Sequence, residues 1–368
     1  MACEGPRARS SRKTAVAVLF VRIFALILLG IATPAAAHGA TGTPASNYVA
    51  VIESVRPTTA GFSVTVIEAT SRMEVRWRSG QAVVVLGYQD NPYLRVSGGG
   101  VEQNILASDV YINRTRLGGG DIPKSADDAA APKWVKISTD PVARWHDHRV
   151  HWMAAAPPEG VQRNRNKHQT VQRFEVTVRQ GGTDHIINGR LDWVPGPSPT
   201  PFVAGAVLVA VLLALLGAVA TRRPGVDQFV IRLTILLLGL LVVADAIHLA
   251  GIAFGVRGRV GGGLSRMLSI GYGSLISWVA AGLAAFLVLR GRRDGLYLAT
   301  FAAGLMLLVG GVTDFGVLSS TSVPFVFSSA VARWTIATTL GLGAGVVALG
   351  IQLTRVRASE VEQADQSE

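Results

Sequence analysis

The sequence predicts an all-β domain followed by an α-helical membrane domain of five spans. Three observations carry this reading. From Phe202 onward the 368-residue chain runs in long uncharged stretches of Leu, Val, Ala and Gly, the composition of membrane helices. Between residues 38 and 194, apolar and polar residues alternate in short pieces broken by Gly and Pro, the pattern of strands and turns. The first 37 residues have the three-part layout of a signal peptide.

The leader comes first in order. Arg7, Arg9, Arg12 and Lys13 form a basic head, residues 15–31 are apolar, and Ala35-Ala36-Ala37 supplies the small residues of a cleavage site. Cleavage after Ala37 exports the β-domain from His38 on; an uncleaved signal anchor is the alternative. The single cysteine, Cys3, precedes the apolar stretch, so the exported part has neither a disulfide framework nor a thiolate metal site.

In residues 38–194, period-2 alternation predicts strands over 48–55, 62–68, 73–77, 82–87, 134–137, 174–178 and 186–193. Many short strands at even spacing favour a sandwich or barrel. The expected form is a sandwich, Ig-like or cupredoxin-like. Residues 118–132, rich in Ala and Asp, and residues 159–167 read as loops, the first of them mobile. Residues 195–201, with four prolines, read as a semi-rigid linker that holds the β-domain close to a bilayer.

Five spans are predicted at 202–221, 229–254, 267–289, 296–312 and 326–353, within a membrane domain over 202–354. The first has no charge across the roughly 20 residues a span needs. With the β-domain outside, Arg222, Arg223, Arg290, Arg292, Arg293, Arg355 and Arg357 fall on the cytoplasmic side. Arg257, Arg259 and Arg266 fall outside, and this excess supports a multi-pass protein of the cell membrane with a cytoplasmic C-terminus. The tail over 355–368 is acidic and reads as disordered. The net charge of +11 therefore sits largely in the leader and the span flanks, not on a nucleic-acid-binding face.

Charged groups inside spans are expensive, so they are paired or functional. Asp245 and His248, three apart, share a helix face. Asp314 ends the fourth span and Arg333 lies early in the fifth, and a pair between them is expected. All four fall in the half nearer the β-domain, as one polar cluster; the plainer alternative is that they only tie helices together. Tyr272, Trp278 and Trp334 read as interface or packing aromatics, and the Gly341–Gly345 spacing reads as a helix-packing face.

The segment from Trp145 to Met153 places His146, His148, His151 and Met153 within eight positions. On a strand, His146 and His148 share a face and His151 has the opposite parity, joining only if the strand ends first. Asp147 and Arg149 would point away and support the ring positions. Met153 adds a soft ligand that suits Cu(I). His38, the residue after the expected cleavage, would offer a terminal amine with its imidazole. The cluster is either a metal site or a polar knot that orders the β-domain. His168 and His185 read as loop and turn residues.

A leader, a start at His38-Gly39-Ala40, a cysteine-free β-domain and a following helical domain resemble the bacterial copper-resistance C and D families, fused. In the C-type family the terminal histidine joins an Asp-x-His pair on Cu(II). Here that pair is missing; the closest sequence is His146-Asp147-His148. The Met-rich tract is missing too, and there are five spans where that family has more. Residues 144–153 and the closing Leu191-Asp192-Trp193-Val194-Pro195-Gly196-Pro197 also resemble uncharacterised exported membrane proteins of high-GC Gram-positive bacteria, a likeness that implies no activity. The copper resemblance implies copper as the cofactor. The β-domain would capture it and hand it to the membrane cluster, with another envelope or copper-handling protein as partner beside the lipid bilayer. The alternative is a cell-envelope scaffold or assembly factor whose β-domain binds a protein partner without metal. No Ser-His-Asp spacing, phosphate loop or HExxH is present, so an enzyme is not expected.

Overall fold

The computed structural model describes residues 45–367, apart from 59–60, 69–71, 115–117, 119, 224 and 256–259. The expected signal peptide and His38 lie outside the described residues.

Two antiparallel sheets form the N-terminal half. One has seven strands in the spatial order β1 (Tyr48–Arg56), β10 (Thr183–Trp193), β9 (Gln169–Gln180), β4 (Val83–Leu86), β5 (Pro92–Ser97), β6 (Gly100–Asn104) and β7 (Trp134–Ser138). The other has the order β2 (Phe62–Ile67), β3 (Arg72–Trp77), β8 (Val142–His146). Both sheets contribute to one apolar core. Met73, Val75, Ala143 and Trp145 come from the small sheet, and Val83, Val85, Val96, Phe174, Val176 and Ile187 from the large one. Burial of these residues is the main favourable term for the domain.

All seven expected strand runs fall on observed strands. Three further strands, β5, β6 and β8, had no clean alternation. Gly98-Gly99-Gly100, read only as punctuation, turns the β5–β6 hairpin. Gly100 sits at φ +116°, and a Cβ there would lie 2.1 Å from the Ser138 carbonyl oxygen, so a larger residue cannot close the edge with β7. The two expected loops carry more order than the composition suggests. Short helix α1 (Asp109–Ile112) is tied to Asp128, which accepts from the Ser108 amide at 2.8 Å and hydroxyl at 2.6 Å. Residues 159–163 form short helix α2 (Glu159–Arg163).

The C-terminal half is helical: α3 (Thr200–Ala220), α4 (Val226–Gly255), α5 (Val260–Ile270), α6 (Tyr272–Leu289), α7 (Gly295–Met306) and α8 (Ser329–Ser367). A π-helical turn, Leu307–Val312, extends α7, and a 3-10 turn, Phe315–Ser319, follows it. Five segments are long and apolar enough to cross a membrane, which fits a multi-pass membrane protein: α3, α4, α6, α7 with its π turn, and α8 as far as Arg355. The expected third span, 267–289, is corrected. Its first residues belong to the separate α5, and the chain breaks at Gly271, whose Cβ would meet a Leu249 methyl at 2.4 Å. The expected disordered tail is corrected too: α8 stays helical to Ser367. Gly341 and Gly345 face Ala206 and Leu213 of α3, as a helix-packing pair should.

The two halves are stitched together at the end of the bundle nearer the strands. Ser46 and Ser322 exchange backbone hydrogen bonds of 2.9 and 2.8 Å. Asn47 Oδ1 accepts from the Thr321 amide at 2.8 Å, and the Thr321 hydroxyl donates to the Val194 carbonyl at 2.8 Å. The two ends of the β-domain, at Ser46, Asn47 and Val194, are thus bonded to the loop between α7 and α8. The linker packs against the same loop at Gly196, where a Cβ would lie 1.8 Å from the Ser319 carbonyl oxygen.

Candidate functional site

Two polar centres lie on either side of this junction. The first is the histidine segment. β8 pairs with β3 in the register Arg72↔His146 and Met73↔Trp145 and ends at His146. The expectation that His146 and His148 share a strand face is therefore overturned, because residues 147–150 form a turn instead. Asp147, expected to point away, is fully buried at the centre of that turn. Its carboxylate accepts from the Trp145 indole at 2.9 Å, the Arg149 amide at 3.0 Å and the Arg149 guanidinium at 2.9 and 2.7 Å. Its carbonyl meets His151 Nδ1 at 3.0 Å. Burial alone would raise the Asp147 pKa, but the Arg149 hydrogen bonds and charge outweigh it and hold the carboxyl below the usual range.

The rings are placed accordingly. His146 accepts from Arg72 Nε at 3.3 Å. His148 stacks on Tyr88 at 6.0 Å and meets His151 edge-on at 5.5 Å. It is therefore His148 and His151 that come together, once the strand has ended. Met153 is exposed. His168 meets Asp192 at 3.2 Å, and His185 meets the Pro57 carbonyl at 2.9 Å. No group of three or more His, Cys, Asp or Glu side chains arranged to hold a metal ion occurs among the described residues.

Sequence reasoning missed the partners of this knot. Tyr88 and Asn91 come from the connection between β4 and β5 and Asp109 opens the short α1, so no pattern marked them. Asp109 is buried and accepts from the Tyr88 amide at 2.8 Å and from Asn91 at 2.9 Å. Desolvation raises its pKa, against the hydrogen bonds that lower it. Gly87 backs this pair, and a Cβ there would lie 2.2 Å from Asp109 Oδ2.

The second centre lies inside the bundle. Asp245 and His248 are 1% and 3% exposed, so both face protein rather than lipid. The expected Asp314–Arg333 pair is corrected. Asp314 Oδ2 instead meets His248 Nε2 at 2.6 Å. Arg333 donates to the Ser320 carbonyl at 2.7 Å and to the Ser329 hydroxyl at 3.2 Å. Trp278, read as a packing aromatic, donates to Asp245 at 2.9 Å. Phe325 covers the His248 ring at 5.9 Å. The π turn brings Gly310 against Asp245, where a Cβ would lie 2.4 Å from Oδ1. Such turns are frequent at functional sites.

The Thr335 hydroxyl lies 2.9 Å from the Ala332 carbonyl, to which it can donate, and 3.4 Å from His248 Nδ1. A hydrogen bond joins His248 Nε2 and Asp314 Oδ2 across the 2.6 Å contact.

Arg72, which holds His146, also lies 3.6 Å from Glu68. Burial raises the Glu68 pKa, while Arg72, Arg266 and Arg144 lower it. Arg266 itself caps α4 by donating to the Ala253 carbonyl at 3.0 Å.

No family model, no curated protein and no solved structure matches this chain.

Proposed function

We propose that this chain is a cell-envelope coupling module. An exported β-domain, read as a sandwich, presents a surface to a protein partner. The five-helix domain anchors it and couples to it through the His248–Asp314 contact. The observation that carries this reading is the contact at 2.6 Å between α4 and the start of the loop that grips the β-domain. His248 is faced by Asp314, Thr335 and Phe325, with Asp245 one turn away on Trp278, and Arg333 is turned toward Ser320 and Ser329. Loss of the His248 contact would release Asp314 and loosen the loop over 315–325. This is the scaffold reading with a working part in the membrane. Copper capture is the second reading. The approach of the His148 and His151 rings favours it, with the pair moved from the expected His146 and His148.

Hydrogen exchange of the full chain in nanodiscs tests both. Coupling is expected to show as faster exchange in 315–325 and at residues 46–48 in His248→Gln than in the parent chain. Exchange unchanged in the variant would end the coupling reading. Slowed exchange over 146–153 on adding one equivalent of copper, lost in His148→Ala/His151→Ala, would favour the second.

A further inference from the structure

We infer that the junction of the two halves binds an anionic phospholipid from the leaflet on the β-domain side. A cavity of about 540 Å³ opens where the chain leaves β10 and enters α3, with Asn47, Arg165, Asn166 and Ser198 on its polar side. Through Pro199 it adjoins a second hollow of about 420 Å³ on the flank of α3, lined by Val203, Ala204 and Val207. A charged, hydrogen-bonding chamber thus continues into an apolar trough.

Arg165 is exposed and forms no ion pair among the described residues. Its carbonyl accepts from the Trp193 indole at 2.8 Å, which pins the loop over the cavity. Lys167 adds a second exposed cation two residues on. The depth is right for a headgroup, because the apolar span begins at Thr200, immediately below Pro199. Phe202 and Trp334 meet edge-on at 5.2 Å, and Trp334 is 62% exposed, as aromatics at a membrane interface are. The trough lies on a helix of which only 11% of the span window is buried in protein, so lipid is its natural neighbour. An anionic head with an acyl chain fills both compartments. A zwitterionic lipid would bring its own cation beside Arg165 and Lys167, and a free phosphate would leave the trough uncovered.

Native mass spectrometry of the full chain in detergent tests this with phosphatidylglycerol, phosphatidylcholine and inorganic phosphate as probes. Phosphatidylglycerol is expected to be held about five- to tenfold more tightly than phosphatidylcholine, as one or two cations near a headgroup allow. Arg165→Ala should erase that preference. Its side chain is exposed, so the fold is not at risk, and an unchanged circular dichroism spectrum checks this. Val207→Trp should weaken phosphatidylglycerol binding without touching charge. Equal retention of the two lipids, or a preference that survives Arg165→Ala, would overturn the inference. So would displacement of phosphatidylglycerol by inorganic phosphate with no effect of Val207→Trp, which would mark a simple anion site.

Discussion

Replacing Asp147 by alanine is expected to cost the β-domain about 3 kcal/mol and to lower its unfolding temperature by roughly 6–12 °C. The carboxylate receives four hydrogen bonds from Trp145 and Arg149 and has no exposure of its own. Removing it leaves the Arg149 charge and the Trp145 donor without their acceptor. The estimate sits at the low end for a broken buried pair, because the Arg149 side chain keeps 24% exposure and recovers some hydration. Asp147→Asn, which keeps one acceptor oxygen, should lose less. The pH dependence has a definite sign. The folded pKa is depressed, so this group's stabilisation is present above the unfolded value near 3.8 and is lost as pH falls through the folded value. The variant should lack that acid-side slope. Thermal unfolding of the full chain, followed by tryptophan fluorescence between acid and neutral pH, measures both effects. A variant as stable as the parent would show that the turn is ordered by packing alone.

The second large effect is expected at the membrane pair. Asp314→Leu leaves His248 buried without its partner, and His248→Leu leaves a carboxylate whose side chain is 10% exposed. Each single change should cost about 2–3 kcal/mol, because an uncompensated group remains in a low-dielectric interior. The double change should cost less than the sum by about 1–2 kcal/mol. That coupling exceeds the ~0.6 kcal/mol typical of hydrogen bonds between membrane helices, as befits a 2.6 Å contact between two ionisable groups. Denaturant titration of the four proteins in mixed micelles gives the cycle. Strict additivity would mean that His248 and Asp314 stabilise the bundle independently.

Much of the architecture was legible because it rests on period and composition. The alternating runs that became β1 to β4, β7, β9 and β10, and the uncharged runs that became spans, each declare their environment locally. β8 was not legible, since both its faces are buried and its last residue is a histidine. The break at Gly271 was hidden inside an apolar run, where nothing in composition separates one long helix from two. The candidate sites were legible as residues but not as pairs. Asp245, His248 and Asp314 stand out because charge in a span is costly. That His248 and not Arg333 takes Asp314 depends on how α4 and α8 pack, which no spacing within one helix reveals. The histidine segment failed in a similar way. Strand parity pairs His146 with His148, but Asp147 draws Arg149 into a turn and delivers His151 to His148 instead. An aspartate with an arginine two residues on was the one local signal for that turn.

The most direct test of coupling between the two halves is a distance measurement. In a Cys3→Ser background, nitroxides at Glu175→Cys on β9 and Leu289→Cys at the end of α6, both exposed positions, report how rigidly the β-domain is mounted. Pulsed electron-spin spectroscopy in nanodiscs at about pH 6 should give one narrow distance distribution for the otherwise unchanged chain. His248→Gln should give a clearly broader one at the same pH. A distribution equally narrow in both would contradict the coupling, because the β-domain would then be held without the His248–Asp314 contact.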